Sequence, residues 1–238
     1  MNKSLYALLI PVRLKNNGIL DTVIKPSTGF LTNYSFVRDA AGNMYWAERS
    51  AVSQFKKKEP GGKIETIAQG KFKDVCWMHS TAAGVIYFVD YHNLYKLNNG
   101  KFTLIAKDIT QRSAAFTTMN GGRHSLFGIW TDKNHNIYVA SYSGRVVKQI
   151  NKTGQIKNWV YSEVPWGPTG GVFDEDGNLW LLESSVTNTV RVRKVLKENF
   201  GKRGKTLQQN RLPIFLTIGF FNPVVFCSLV FQQSQAFF

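Results

Sequence analysis

Residues 170–183 read GGVFDEDGNLWLLE, and this stretch decides the fold. It places two short apolar segments on either side of a turn in which Gly177 and Asn178 tolerate the positive φ angles of a tight hairpin. The pattern occurs three more times, as SFVRDAAGNMYWAE at 35–48, WMHSTAAGVIYFVD at 77–90 and GIWTDKNHNIYVAS at 128–141. Each copy predicts a β-hairpin.

The aromatic residue near the end of each copy recurs at regular intervals. Tyr45, Tyr87, Tyr138 and Trp180 lie 42, 51 and 42 residues apart, a spacing typical of four-stranded propeller blades. Two further strands are expected after each hairpin, as at 145–150 and 156–161 in the third copy. The sequence therefore predicts an all-β fold, a β-propeller of four-stranded antiparallel blades, with about four to five blades visible.

These repeats also set the domain boundaries. The propeller domain is predicted over 1–195, with a half blade at 5–25 and then blades at about 30–70, 71–110, 124–161 and 166–195. The half blade is inferred because LKNNG at 14–18 is similar to KLNNG at 96–100. The remaining residues, 196–238, form a tail that is first basic and then hydrophobic.

Three interpretations of this tail stay open. Residues 212–231 are uncharged and follow a basic run, as in a membrane tail anchor, but Pro213 and Pro223 interrupt them. The tail could instead be a non-native, frameshifted end that replaces further blades and leaves the propeller truncated. It could also pack irregularly over an open ring. Contact with a membrane is expected only through the tail, and only if the tail is native.

Composition excludes some classes of protein. A hydrophobic content of 43% with 13% aromatic residues is that of a globular, strand-rich chain. The formal net charge is +15, but the basic residues are mostly scattered and no nucleic-acid-binding motif accompanies them, so no specific nucleic-acid partner is predicted. Cys76 and Cys227 are too few for a disulfide framework. The apolar run 5–12 lacks a small-residue cleavage site and is predicted as a strand.

The pattern Gly-Val-x-x-Asp-x-x-Gly-Asn followed by an apolar and an aromatic residue resembles the repeat of NHL-type propellers. It is also similar to the repeat of the regucalcin and gluconolactonase group, and GNLW at 177–180 with Glu183 resembles that of the virginiamycin B lyases. The resemblance implies a six-bladed propeller of the TolB-like superfamily, apparently incomplete, and it permits a periplasmic or secreted location. It concerns the blade-forming positions of the fold and implies no activity.

Carboxylates at the ends of the second strands are the candidate metal ligands. The shared Gly-Asn places Glu48, Asp90, Ser141 and Glu183 in one column on the face that also holds the loops between blades. Three carboxylates around a ring suit a hard divalent cation such as calcium, although no cofactor is predicted with certainty. The alternative is that each carboxylate accepts hydrogen bonds from the turn that begins the next strand.

A second group of candidates lies in the loops. Asn120, Arg123 and His124 fall in an insertion of about nine residues between the second and third blades, where recognition residues tend to concentrate. Arg123 and His124 are the catalytic candidates, and both are binding candidates together with Asn120 and Trp166. Glu163, just before the Pro165 that precedes Trp166, is a further candidate.

The first-strand starts give little support to a lactonase. Lactonases of the group that the sequence resembles hold their metal at these positions with Glu, Asn and Asp. In this sequence the positions carry pairs such as Cys76 with Trp77 and Thr169 with Gly170. Among the histidines, His92 and His135 are expected to be exposed because they lie near turns, and His79 lies in a first strand.

Two functional hypotheses follow. The first is an NHL-like binding scaffold that holds a small molecule, peptide or protein at the loop face of the central channel. The second is a metal-dependent lactone hydrolase or lyase that uses Glu48, Asp90 or Glu183 with His124. Whether the protein is an enzyme is left open by the sequence.

Overall fold

Antiparallel hairpins account for nearly all of the regular structure. A computed structural model describes residues 12–14, 20–22, 36–48, 51–110, 126–187 and 189–202. The first two segments pair as strands β1 (Val12–Leu14) and β2 (Leu20–Thr22). Among the described residues, no helix has the length and apolar character needed to cross a bilayer.

Four further sheets form the blades, numbered here in chain order. Blade 1 contains β3 (Val37–Arg38), β4 (Met44–Glu48), β5 (Ser53–Lys58) and β6 (Ile64–Gly70). Blade 2 contains β7 (Val75–Ser80), β8 (Ile86–Asp90), β9 (Asn93–Asn98) and β10 (Lys101–Ala106). Blade 3 contains β11 (Leu126–Thr131), β12 (Ile137–Ser141), β13 (Val146–Ile150) and β14 (Ile156–Tyr161). Blade 4 contains β15 (Trp166–Phe173), β16 (Leu179–Ser185) and β17 (Val190–Val195).

Each blade is an antiparallel meander in which consecutive strands are neighbours. The prediction of an all-β fold built from such blades is confirmed. The blade that differs is blade 4, in which three strands are described instead of four. A short 3-10 helix, Lys197–Asn199, follows β17, and the Phe200 ring then packs on Trp159 of blade 3 with ring centroids 4.0 Å apart.

The core consists of side chains that fill the spaces between blades. One cluster joins blades 2, 3 and 4, and a second joins blades 1 and 2 through Phe55, Phe88 and their neighbours. Phe55 and Phe88 are almost fully buried, with ring centroids 4.7 Å apart. Burial of such rings is the main stabilising contribution to a sheet-on-sheet fold of this kind.

Glycines let the first strands of blades 3 and 4 approach closely. Gly128 in β11 has φ +48°, and a Cβ atom there would lie 2.5 Å from the Thr169 carbonyl oxygen in β15. A Cβ on Gly171 would lie 2.8 Å from the Trp130 ring. Glycine is therefore required at both positions by the neighbouring blade, and at Gly128 also by the positive φ angle.

Candidate functional site

The two ends of the blades differ in what they present. At one end, which we call the turn face, lie the hairpins between first and second strands. At the other end, which we call the loop face, the first strands begin, the second strands end and the segments between blades cross. This assignment places Trp166, Glu48, Asp90 and Glu183 on the loop face.

The aspartate of the repeat supports its own hairpin on the turn face. In blade 1, Asp39 accepts hydrogen bonds from the Asn43 backbone N–H at 2.9 Å, the Asn43 Nδ2 at 2.8 Å and the Tyr45 hydroxyl at 2.9 Å. Burial, together with the nearby Asp39 carboxylate, raises the pKa of Tyr45 to about 12. Burial would raise the pKa of Asp39, but the hydrogen bonds from Asn43 and Tyr45 outweigh it and lower this pKa below 3.8.

The same three-residue arrangement recurs in two other blades. It joins Asp132, Asn136 and Tyr138 in blade 3, and Asp174, Asn178 and Trp180 in blade 4. In blade 2, Thr81 replaces the aspartate and accepts only the Val85 backbone N–H through its hydroxyl, at 3.2 Å. In blades 1, 3 and 4 the polar hydrogen of the aromatic residue therefore completes the turn.

The predicted carboxylate column lies at the loop-face ends of the second strands, and each member has partners in its own blade. Glu48 accepts a hydrogen bond from the Trp46 indole at 3.2 Å and lies 3.7 Å from the Lys56 amine. Asp90 accepts the Asp74 backbone N–H at 2.6 Å. Within the described part of the chain, no three His, Cys, Asp or Glu side chains converge closely enough to hold a metal ion. The calcium role of Glu48, Asp90 and Glu183 stays a prediction.

Glu183 is the centre of a buried charge cluster in blade 4. Its side chain is fully buried, and its Oε2 accepts hydrogen bonds from Arg191 Nε at 2.7 Å and Arg193 Nε at 3.2 Å. Its Oε1 accepts a third hydrogen bond from Arg193 Nη2 at 2.9 Å. Arg193 Nη2 also donates to the Tyr161 carbonyl at 3.0 Å, which ties blade 4 to blade 3. We refer to Glu183, Arg191 and Arg193 as the arginine cluster.

Trp166 lies directly beside this cluster. The Arg191 guanidinium carbon is 4.4 Å from the centre of the Trp166 ring, which is a cation–π contact. The strand register explains the contact. Trp166 pairs with Ser185 of β16, and Arg191 pairs with Glu183, which lies two residues before Ser185 on the same strand. All four side chains therefore lie on one face of the sheet. Trp166 was a candidate from the sequence, whereas Arg191 was not. The alternation of Val and Arg at 190–193 was the signal that could have found it.

An aromatic row runs along the loop face toward Trp166. The rings of Trp77 and Phe127, which lie near the starts of the first strands of blades 2 and 3, are 5.5 Å apart, and Phe127 contacts Tyr142 edge-on at 5.3 Å. Tyr142 in turn covers Gly167, where a Cβ atom would lie 2.5 Å from its ring. The buried Trp77 indole N–H donates no hydrogen bond within the described residues. These contacts link three blades along one face.

Two apolar side chains flank Trp166 in the chain and in the adjoining turn. Val164 is 71% exposed and Val186 is 65% exposed, the highest values among the large apolar residues that are described. Val164 precedes Trp166 by two residues, and Val186 lies in the turn between β16 and β17. The loop face of blade 4 thus combines a half-buried indole, a guanidinium group and exposed aliphatic groups.

The loop candidates between blades 2 and 3 have a different status. Asn120, Arg123 and His124 lie outside the described residues, so their predicted binding and catalytic roles stay predictions. Glu163 is exposed, and its carbonyl accepts the Trp166 N–H at 2.7 Å.

Solvent exposure was predicted for two histidines, correctly for His135 and wrongly for His92. His135 is exposed, with φ 63° at its turn, as expected. The expectation for His92 was wrong, because its ring is only 8% exposed and its Nδ1 lies 2.6 Å from the Thr110 hydroxyl. The residues after β10 fold back over the turn at His92, which a local turn pattern does not reveal. His79 contacts Thr131 of the next blade at 3.1 Å, and burial lowers its pKa to about 4.

A separate groove of about 600 Å³ lies on the turn face between blades 1 and 2. Asp39, Tyr45, Lys57, Glu65 and Gly84 are among its lining residues. Its polar groups already bond one another, since Tyr45 donates to Asp39 and Lys57 lies 3.8 Å from Glu65. We therefore place the candidate site at the arginine cluster on the loop face, where the buried Arg191 Nη2 has no acceptor among the residues that the structure describes.

Comparisons with known proteins agree with this architecture. No protein-family model matches the sequence, and no curated protein is found to match it. Among solved structures, YCF48 bound to a peptide superposes with a TM-score of 0.54 and 14% identity, over 78% of this chain and 57% of that one. A protein provisionally assigned as a gluconolactonase gives a TM-score of 0.53 and 14% identity, over 78% of this chain and 66% of its own.

Virginiamycin B lyase from Staphylococcus aureus is a more distant match, with a TM-score of 0.48 and 13% identity, over 69% of this chain and 56% of the lyase. The chain thus spans between about half and two thirds of the length of these structures. At such identities the similarity establishes the fold alone. The protein has the β-propeller fold, with blades that match part of six-bladed propellers.

Proposed function

We propose that this protein is a β-propeller binding scaffold whose ligand is held on the loop face at Trp166 and the arginine cluster. The observation that carries the proposal is the Arg191 guanidinium, which stacks on Trp166 while its Nη2 is buried without an acceptor among the described residues. Unpaired buried donors are rare in folded proteins because each loses its bonds to water. The combination of this donor with the Trp166 ring beside an exposed surface supports a recognition point here.

The surroundings of Arg191 are suited to binding. Aromatic and arginine residues dominate the energetics of binding surfaces, and exposed aliphatic side chains add area that a ligand can cover. Trp166, Val164 and Val186 supply that area here. The aromatic row from Trp77 to Tyr142 joins neighbouring blades next to the site. Packed strands therefore support the site, and not only loops.

The ligand class left open by the sequence includes small molecules, peptides and proteins. YCF48, a propeller of similar fold, is described as bound to a peptide. Peptides therefore belong in the first screen beside small molecules. The alternative function, a metal-dependent hydrolase or lyase, has no comparable observation in its favour among the described residues.

Fluorine NMR of protein labelled with 5-fluorotryptophan tests the proposal. The chain contains six tryptophans, and the Trp166 resonance is assigned by its loss in a Trp166→Phe variant. A collection of peptides and small molecules is then titrated. We expect binders to shift the Trp166 resonance and to leave that of Trp46, which is buried in blade 1, unchanged. Binders that shift only Trp46 or Trp180, or a collection that leaves Trp166 unaffected, would contradict the proposal.

A further inference from the structure

We infer that the arginine cluster recognises a monovalent carboxylate carried on a small apolar group. The inference rests on the proposed function and names the ligand chemistry of the same site. It follows from the charge of the cluster, from the way Arg191 is held and from the apolar groups around it.

The arginine cluster carries an unbalanced positive charge. Arg191 and Arg193 both bind Glu183, so two guanidinium cations share one fully buried carboxylate and the cluster has one positive charge in excess. Within the described residues, Glu183 is the only carboxylate that pairs with Arg191. Excess charge in a site of low dielectric constant is costly, and a bound monoanion would neutralise it.

The two arginines of the cluster differ in their hydrogen bonding. Arg193 uses its Nη2 for both Glu183 and the Tyr161 carbonyl. Arg191 uses only Nε, and its Nη2 has no acceptor in the described part of the chain. The Arg191 side chain is 16% exposed although its Nη2 is buried, so the guanidinium edge that carries this unpaired donor borders the part of the side chain that solvent reaches. A planar carboxylate is the acceptor whose two oxygens match such an edge.

A carboxylate matches the charge and the surroundings of the cluster better than a phosphate does. A phosphate near neutral pH carries more than one negative charge, which exceeds the single positive charge available. It also has no apolar part to cover Trp166, Val164 and Val186. A short branched carboxylate satisfies both conditions, since its carboxylate meets Arg191 and its methyl groups meet the indole and the valines.

The test uses three probes of matched size or charge: 3-methylbutyrate, its neutral amide and inorganic phosphate. Affinities are measured from the shift of the Trp166 fluorine resonance. We expect 3-methylbutyrate to bind at least about tenfold more tightly than the amide or phosphate, because only the acid pairs one negative charge with apolar contact. Equal affinity of acid and amide, or tighter binding of phosphate, would overturn the inference.

Two Val186 variants localise the effect and leave the side chains of the arginine cluster in place. Val186→Asp places a fixed carboxylate in the exposed turn that leads to Arg191, and Val186→Asn is its neutral match. Both variants lose the apolar contact of Val186 and only the aspartate adds a negative charge, so we expect the aspartate variant to bind 3-methylbutyrate about tenfold more weakly than the asparagine variant. Arg191→Gln should abolish the preference for acid over amide, whereas Lys133→Gln, an exposed charge removed on the turn face, should preserve it. Unchanged discrimination in the Arg191 variant would also contradict the inference.

The outcomes keep the two proposals apart. If acid and amide both shift Trp166 equally, the site binds ligands without selecting a carboxylate, so the inference fails and the proposed function stands. If neither probe nor any member of the wider collection shifts Trp166, the proposed function itself fails.

Discussion

Glu183 and Arg193 form the best-connected side-chain pair of the described structure, with a fully buried carboxylate joined to one guanidinium group by two hydrogen bonds of 2.9 and 3.2 Å. Arg193 continues from this pair to the Tyr161 carbonyl on the neighbouring blade. The carboxylate of the repeat thus links two blades through an arginine of the third strand.

Replacing Glu183 should therefore be costly. Glu183→Gln removes the charge that compensates two arginines, and we expect the free energy of unfolding to fall by about 3–5 kcal/mol. Glu48→Gln is the matched control, because Glu48 occupies the equivalent position with a partly exposed side chain, and its loss should cost less than about 1 kcal/mol. Urea denaturation monitored by circular dichroism measures both. Similar losses of unfolding free energy in the two variants would show that the buried Glu183 contributes no more stability than the partly exposed Glu48.

The three-residue turn arrangement predicts a second pair of variants. Tyr138 donates to Asp132 at 3.0 Å and accepts from Gln149 at 2.7 Å, so Tyr138→Phe should lower the free energy of unfolding by about 1–2 kcal/mol. In blade 2 the equivalent Tyr87 has no aspartate to bond, since Thr81 stands in its place. Tyr87→Phe should change stability by less than about 0.5 kcal/mol. A larger effect at Tyr87 than at Tyr138 would refute the role assigned to the aspartate.

Close packing of the first strands gives a third prediction. Gly128→Ala combines a positive φ with a Cβ atom only 2.5 Å from a backbone oxygen, and we expect a loss of about 3 kcal/mol or more. Gly61 also has a positive φ, of +70°, but no atom within 4 Å of the added Cβ, so Gly61→Ala should cost only about 1 kcal/mol of backbone strain. The difference between the two variants isolates the contact between β11 and β15. Equal losses would mean that the strands do not approach as described.

His79 predicts a pH dependence of known sign. Burial lowers its pKa to about 4, from 6.5 in the unfolded chain, so the unfolded chain takes up the proton first as the pH falls. The stabilisation from the neutral ring is complete above pH 6.5 and is lost between pH 6.5 and about 4, amounting to about 2–3 kcal/mol. His79→Gln should remove this part of the acid sensitivity, and His135→Gln, at an exposed turn, should not. Unfolding measured at pH 7 and 4.5 decides, and identical pH profiles for the wild type and the His79 variant would rule the effect out.

The blades were predictable from the sequence because their signals are local. In blades 1, 3 and 4 the Asp and Asn of the hairpin lie within five residues of one another, and their hydrogen bonds close within the same turn. The column that contains Glu183 followed from the same alignment. The position of Trp166 on the loop face followed from its place just before the fourth hairpin.

The chemistry of the site was less predictable because it depends on register between strands. Arg191 reaches Glu183 only when β17 pairs with β16 in the observed register, and Trp166 reaches Arg191 only across β16. His92 illustrates the same limit, since its burial results from chain that returns from β10 and not from its own turn. The roles predicted for Asn120, Arg123 and His124 need residues beyond those described.

The most direct measurement of the central claim compares the affinity of the tightest ligand from the fluorine screen for two variants, read by calorimetry. Trp166→Phe alters the ring under Arg191 on the loop face. Trp180→Phe replaces another tryptophan of the same blade. This tryptophan lies on the turn face, where its indole N–H donates to Asp174. We predict that the first variant weakens binding by about tenfold or more and that the second leaves it within twofold. Equal affinity for both variants, or a loss confined to Trp180→Phe, would contradict the account.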